Sequence, residues 1–433
     1  MNTRFLRTIG AVFIVLSIAF APAAANEKVH LSFARWNHDQ AFVDAVEAFN
    51  AMQDRIEVEV VIVPEYQTRL RLELASGIGP DLFVVHPWWT PVGLWGPEGT
   101  MVDLTPYWER DSAELSPDNW FPPALASGQA NGRLYALFYG VSVYGHLDYN
   151  IDMLEAAGLP LPADTWESMT WNDLTEMAVK LTRDISGDGE PDQWGLQTGF
   201  NDWRALSTLL LSTGNSIYKE NDLTFDVATD GSYRAMDWIV DLARRNVMGG
   251  NWGQGTAAMR TGQGWVHFAE PLAAGNILIE RPATAIMPAD PVTGDRLFRG
   301  GGLGLAINSQ SPHHDEAWEF IKYFVSNEGW AKAGIAGRGF LTHIPGHRDL
   351  VGRFLEIDQN KFPATVDPTL AIRMMDFSEP LTNSSNPHLN THIGSIESYL
   401  TGEWRKVFNG EQHPVAFVET VTSQVNRILR EGE

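Results

Sequence analysis

Residues 29–63 read VHLSFARWNHDQAFVDAVEAFNAMQDRIEVEVVIV, and this stretch decides the fold class. Apolar and polar residues alternate over 29–33, which predicts a first strand. Between residues 39 and 54 the apolar positions recur every three or four residues, as on one face of a helix. Residues 56–63 are rich in β-branched side chains and predict a second strand. The stretch therefore predicts a strand, a helix and a strand in succession.

The next thirty residues extend this alternation. Residues 68–76 predict a helix that ends at Gly77, and the short apolar run at 82–85 predicts a buried strand after Gly79-Pro80-Asp81. A β-α-β-α-β order implies an α/β fold with a parallel sheet covered by helices. Ligands of such sheets bind beyond the carboxyl ends of the strands. The loops there, RWNH at 35–38 and HPWW at 86–89, are polar and aromatic.

The remaining sequence predicts a second domain. Residues 134–150 read LYALFYGVSVYGHLDYN, a β-like run long enough to cross between two domains. A chain of this length usually divides into two domains. Further strands are predicted at 193–198 and 297–308, and residues 360–390 are predicted to be irregular. Helices are predicted at 153–158, 171–182, 203–212, 232–245, 312–333 and over most of 404–429.

The N-terminus has the pattern of a secretory signal peptide. Arg4 and Arg7 precede an apolar run over 9–21, and three alanines at 23–25 provide a cleavage site. The run is shorter than the roughly 20 residues that a spanning helix needs, although a retained membrane anchor is the alternative. We expect residues 1–25 to be removed and the mature chain to begin near Asn26, in the periplasm. The chain contains no cysteine, which excludes a lipid anchor.

Composition restricts the partners. The formal net charge is −23, which disfavours nucleic acid and anionic lipid surfaces. The 16 tryptophans are many, and an indole face suits the C–H face of a sugar as well as a protein core. We therefore expect a soluble monomer that binds no nucleic acid, with most tryptophans in the core and some in a binding site.

Six segments, in order along the chain, carry a family resemblance: Gly79-Pro80-Asp81; Leu147-Asp148-Tyr149-Asn150 with Met153-Leu154; Asp188-Gly189 with Asp192-Gln193-Trp194-Gly195; 255–259 with Gly262 and Trp265; 301–307; and the helical stretch 317–324. In this order they resemble the extracellular solute-binding proteins of ABC importers, in the carbohydrate-binding group that includes maltose-binding protein. The resemblance fades after Ile344.

The resemblance implies two α/β lobes joined by hinge crossovers, with a ligand cleft between them that closes on the ligand. It places residues 26–139 and 299–337 in the N-terminal lobe, and residues 140–298 and 338–433 in the C-terminal lobe. The implied function is that of a binding component, not an enzyme. It would capture a sugar or oligosaccharide and deliver it to inner-membrane ABC permease subunits.

Candidate ligand-binding residues come from the predicted loops and from the resemblance. Each tryptophan has core packing as its alternative, and Asp81 has capping of local backbone amides as its alternative. Arg338 would suit an anionic ligand if it points inward, and Tyr144 stands where the maltose binder has a carboxylate, so maltose itself is disfavoured. The predicted substrate-binding set is Trp36, His38, Asp81, His86, Trp88, Tyr144, Phe200, Trp252, Trp265, Glu270, Gly301 and Arg338.

The sequence also contains weaker signals for a calcium site, for a hydrolase and for an anionic ligand. Asp184, Ser186, Asp188 and Asp192 partly match a calcium loop, but Gly195 occupies the position of the bidentate glutamate, so a plain Asp/Gly turn is the favoured interpretation. No catalytic residues, cofactor or other metal is predicted. A secreted glycoside hydrolase is one alternative function, and the 54 acidic residues make chance carboxylate pairs easy. A binder of a sugar phosphate or another anionic sugar is the second alternative, since the glycines at 300–304 could form a phosphate-binding loop. They precede a strand instead of opening a helix, so they do not match the dinucleotide-binding signature.

Overall fold

Two β-sheets organise the chain in the computed structural model, which describes residues 28–86, 90–143, 145–219, 224–261, 278–329, 344–358, 364–380 and 387–431. The strands are β1 (Val29–Arg35), β2 (Ile56–Ile62), β3 (Leu82–Val85), β4 (Gln129–Ala130), β5 (Arg133–Leu134), β6 (Leu137–Val143), β7 (His146–Asn150), β8 (Trp194–Thr198), β9 (Tyr218–Lys219), β10 (Thr224–Phe225), β11 (Ala257–Thr261), β12 (Pro282–Ile286), β13 (Phe298–Ile307), β14 (Ile344–Pro345) and β15 (Ser378–Pro380).

Helices connect and cover these strands. Within the described residues, no helix is long and apolar enough to cross a membrane. The helices are α1 (Gln40–Met52), α2 (Tyr66–Ala75), α3 (Val92–Trp95), α4 (Thr105–Arg110), α5 (Ser112–Leu115), α6 (Pro122–Ser127), α7 (Ile151–Ala156), α8 (Pro162–Thr165), α9 (Trp171–Leu181), α10 (Trp203–Leu211), α11 (Asp230–Arg244), α12 (His314–Val325), α13 (Val351–Asp358), α14 (Thr369–Met374), α15 (Pro387–Phe408) and α16 (Pro414–Glu431).

The first sheet has the order β14-β6-β13-β3-β1-β2, with β15 paired to β13. Strand β1 runs parallel to both β2 and β3, as the sequence predicts, whereas β13 is antiparallel to β3 and β6. Helices α1 and α12 bring Phe42 and Phe324 against Phe33 of β1, and all three side chains are buried. This aromatic core holds the helices on the sheet by removing apolar surface from water.

The second sheet has the order β12-β7-β11-β8. The predicted long run at 134–150 does cross between the two sheets, because β6 belongs to the first and β7 to the second. The run is interrupted at Gly145, where a Cβ atom would overlap the ring of Phe298. The connection from β6 to β7 therefore passes Phe298, the first residue of β13, at a glycine.

The pairing of short C-terminal strands bears on the predicted lobe boundaries. Ile344–Pro345 pairs with β6 and Ser378–Pro380 pairs with β13, so both segments belong to the first sheet although the prediction places 338–433 in the C-terminal lobe. The boundaries as a whole stay a prediction.

Two secondary-structure predictions differ from the structure. Residues 360–390 are not irregular throughout, because α14, β15 and the start of α15 lie there. Pro387 is the first residue of α15, where a missing N–H costs nothing, so proline there marks a helix start. The predicted helix at 312–333 is observed as α12 over His314–Val325, and residues 330–333 lie outside the described part.

Three buried polar side chains lie side by side on neighbouring strands of the second sheet. Asp148 of β7 lies directly opposite Arg260 of β11 and Thr284 of β12, and all three are buried. The Asp148 carboxylate accepts hydrogen bonds from Arg260 and, at 2.8 Å, from Thr284. A pair this deeply buried depends on both partners, because either one left alone is a stranded charge.

Tyr149 provides a pH-dependent test of this sheet. Burial raises the pKa of its phenol to about 12, against about 10 in the unfolded chain. The neutral phenol therefore stabilises the fold below pH 10, and this contribution is lost as pH rises from about 10 to about 12. We expect Tyr149→Phe to lose less stability than the parent between pH 9 and pH 11.5, as measured by urea unfolding at both pH values. Equal losses would show that the phenol titrates alike in the folded and the unfolded chain, so that burial does not raise its pKa.

Candidate functional site

The loops after β1 and β3 meet at the carboxyl edge of the first sheet. The ring of Trp36 lies 6.2 Å from that of His86 at 85°, and 5.6 Å from that of Tyr66 at 76°. The Tyr66 hydroxyl donates to the carbonyl oxygen of Val84 at 2.8 Å, which ties α2 to β3. Trp36 is therefore held edge-on by two rings while part of its surface stays exposed. An indole fixed in this way is a ready stacking surface.

A buried cation lies beneath this loop. The Arg35 side chain is 2 % exposed, with its guanidinium carbon 3.1 Å from the centroid of Phe42 and 5.3 Å from that of Trp36. Burial lowers the pKa of Arg35, and the nearby Tyr139 and Asp39 oppose that shift. The sequence analysis did not single out Arg35, although the alternation Leu31, Phe33, Arg35 marks it as inward-facing.

Asp81 serves as a local cap. One carboxylate oxygen accepts from the amide and hydroxyl of Ser32 at 2.8 and 2.7 Å, and the other accepts from the Ser311 hydroxyl at 2.6 Å. Asp81 also precedes β3, so it lies at the amino edge of the sheet, opposite the loops. These contacts are those of the capping alternative, and a ligand contact at Asp81 stays a prediction. His38 is exposed, and it borders the groove between α1 and β2.

Two aromatic residues predicted for the site lie in the core of the second lobe. Phe200 and Trp252 are each 1 % exposed. The Phe200 ring packs 5.7 Å from Trp238, and its carbonyl accepts from the indole of Trp404 in α15. The Trp252 amide donates to the side chain of Gln197 at 3.0 Å. Neither ring presents a face for stacking in this structure, because packing covers both.

Helix α15 is the site element that the sequence analysis missed. It contacts α3, which follows the loop at 86–89, and α10, which follows the stretch at 199–202. Thr401 accepts from the Trp203 amide at 3.1 Å, and Glu397 accepts from Arg204 at 3.0 Å. The helix therefore bridges the elements that follow two predicted site loops. Pro387 at its first position was the available signal.

Of the remaining predicted site residues, one lies in the described part of the chain. Gly301 lies in β13, paired with Ser142 of β6, close to the crossover. The predicted residues that lie outside the described ranges are Trp88, Tyr144, Trp265, Glu270 and Arg338.

The suggested calcium loop is folded by its own backbone. Asp184 accepts from the amides of Gly187 and Gly189 at 2.6 and 2.8 Å, and Asp192 accepts from those of Ile185 and Ser186 at 2.7 and 2.6 Å. These hydrogen bonds lower the pKa of Asp192. Asp188 likewise accepts from the Glu190 amide at 2.9 Å. The arrangement is that of an Asp/Gly turn, the interpretation that the sequence favours, and calcium binding stays its untested alternative.

The sequence matches a known protein family over most of its length. The model of the bacterial extracellular solute-binding proteins matches residues 35–329, which is more than half of the chain. This chain belongs to that family. The family is one of solute binders placed outside the cytoplasm, and its match begins at Arg35, the residue beneath the Trp36 loop.

Solved structures share the fold of this solute-binding protein. The sugar-binding protein MalE from Xanthomonas citri has a TM-score of 0.76 at 17% identity, over 93% of this chain and 98% of that one. An ABC substrate-binding protein from Listeria monocytogenes, in complex with cycloalternan, has a TM-score of 0.74 at 18% identity, over 93% and 100%. A solute-binding protein from Agrobacterium radiobacter, in complex with ribitol, has a TM-score of 0.67 at 21% identity, over 93% and 99%. These likenesses establish the two-lobed α/β fold.

Proposed function

We propose that this solute-binding protein binds a sugar or oligosaccharide between its two lobes in the periplasm and delivers it to an inner-membrane ABC permease. The observation that carries the proposal is the Trp36 indole, held edge-on by Tyr66 and His86 at the carboxyl edge of the first sheet. A flat apolar face beside polar rings suits the alternating C–H and hydroxyl groups of a sugar.

The comparisons support a sugar but leave its size open. The relatives above were solved with ligands as different as a cyclic oligosaccharide and the polyol ribitol. The signal peptide, the monomeric state and the absence of a lipid anchor stay part of the proposal. An anionic sugar is not favoured by Arg35, because that cation is buried and faces Asp39 at 3.7 Å.

The proposed role also excludes turnover. A binding protein returns its sugar unchanged, whereas a glycoside hydrolase releases a new reducing end. A reducing-end assay after long incubation with each bound sugar separates the two functions.

The Trp36 surface gives the direct test of the site. Trp36→Ala is expected to weaken binding by about 1–3 kcal/mol, roughly 5- to 150-fold in the dissociation constant, through lost stacking and apolar contact. Isothermal calorimetry with the bound sugar measures the change. Trp108→Ala is the matched control, because Trp108 is a partly buried tryptophan that packs 5.7 Å from Trp120. Equal dissociation constants for Trp36→Ala and the parent would remove Trp36 from the site.

A further inference from the structure

Within the described part of the chain, strand β2 is the free edge of the first sheet. It is the last strand in the order β14-β6-β13-β3-β1-β2, and its sequence is IEVEVVI. Five of these seven residues are β-branched and none is proline, a composition that favours pairing with any further strand. Val61 and Ile62 are 36% and 40% exposed. Such an edge is a template for association of two identical chains.

Two side chains, one from the last turn of α1 and one from the residue directly after it, occupy the first half of this edge. The Asn50 amide donates to the carbonyl of Val58 and accepts from its N–H, both at 2.9 Å. Gln53 does the same at Ile56, donating at 2.7 Å and accepting at 2.8 Å. Each side chain thus makes the two hydrogen bonds that one residue of a neighbouring strand would make.

The register explains why these two residues are sufficient. Arg55 and Val63 hydrogen-bond to β1, so the even-numbered residues between them direct their N–H and C=O groups outward. Of the four outward positions, 56 and 58 are covered. Positions 60 and 62 border an open groove of about 570 Å³ beside α1. The two uncovered positions span only residues 60–62, a shorter stretch than the five or six residues of a typical strand.

Charge adds to this protection. Glu57 and Glu59 alternate along the exposed face of β2. If two copies of β2 paired antiparallel, these carboxylates would lie on one shared face and repel each other.

We propose that Asn50 and Gln53 act as a built-in cap that closes the β2 edge to a second copy of this chain. The two side-chain amides replace the hydrogen bonds of a neighbouring strand, so the N–H and C=O groups of Ile56 and Val58 are paired without a second chain. Removing both amides exposes four successive outward positions, next to the groove beside α1. The variant chain is then expected to pair through β2.

The test is the oligomeric state of the full mature protein. Asn50→Ala with Gln53→Ala is compared with the parent by size-exclusion chromatography with light scattering, from micromolar to millimolar concentration. We expect the parent to stay monomeric and the double variant to form a dimer whose fraction rises with concentration. Gln40→Ala is the control, because Gln40 is an amide of α1 that donates to Asp44 at 2.8 Å, within the helix, and not to β2. A double variant that stays folded and monomeric at every concentration would overturn the proposal.

A third substitution separates edge pairing from general instability. Val60→Pro removes an outward N–H, which an edge strand tolerates but a paired strand does not. Added to the double variant, it is expected to restore the monomer. If association persists with proline at 60, or if circular dichroism shows that the double variant is unfolded, association does not proceed through the β2 edge and the proposal fails.

Discussion

Asp148→Ala is expected to lower the free energy of unfolding by about 3–5 kcal/mol, because it leaves the Arg260 guanidinium buried without its carboxylate. Asp148 is 0 % and Arg260 7 % exposed, and Thr284 also loses its acceptor. Water has little access to the stranded cation, so the loss cannot be recovered by solvation. Urea denaturation at neutral pH measures the difference.

Two controls separate the buried pair from a general charge effect. Asp148→Leu combined with Arg260→Met is expected to recover most of the loss, because no charge then stays buried alone. Arg281→Met breaks exposed pairs with Glu155 at 2.7 Å and Asp152 at 2.8 Å and is expected to change the free energy of unfolding far less. If Asp148→Ala lowers the free energy of unfolding no more than Arg281→Met does, water reaches the Asp148–Arg260 pair and the pair does not behave as a buried one.

The second large effect is expected at the crossover. Gly145→Ala places a methyl group into the ring of Phe298, which is 1 % exposed and has little room to move. Overpacking of this kind costs about 1–3 kcal/mol. The Gly145 carbonyl also accepts from the Met287 amide at 2.8 Å, so a shift of residue 145 affects two crossing segments. We expect lower stability and a changed radius of gyration of the unliganded protein.

The matched control is another glycine. Gly402→Ala, in α15, meets no atom within 4 Å and is expected to stabilise the helix by up to about 1 kcal/mol. Gly145→Ala combined with Phe298→Leu tests the contact itself, because a smaller side chain leaves space for the methyl group. Small-angle scattering and thermal unfolding report both effects. A Gly145→Ala protein with the parent's melting temperature and radius would show that the ring is not a constraint on the hinge.

The fold of the first lobe was predictable because its signals are local and periodic. The strands at 29–35, 56–62 and 82–85 and the helix at 40–52 lie within a few residues of their predicted positions. The irregular appearance of 360–390 was misleading, because proline at the first position of α15 is compatible with a helix although the local composition resembles a loop.

The site was less predictable, since burial depends on contacts between distant segments. Trp36 and Trp252 both have polar neighbours in the sequence, yet Trp252 is buried in the structure and Trp36 is partly exposed. The Phe200 carbonyl is covered by Trp404, some two hundred residues later in the chain. The edge cap likewise depends on how α1 lies along β2, which no spacing of Asn50 and Gln53 reveals.

The most direct test of the central claim is a titration of the mature protein, from Asn26 onward, with monosaccharides, oligosaccharides, polyols and sugar phosphates, followed by tryptophan fluorescence. Trp36 lies at the proposed site, so a bound sugar changes the surroundings of an indole. We expect a saturable change in fluorescence with one class of neutral sugar or polyol, and a weaker change or none in Trp36→Ala. No saturable change with any compound, confirmed by calorimetry, would contradict sugar binding.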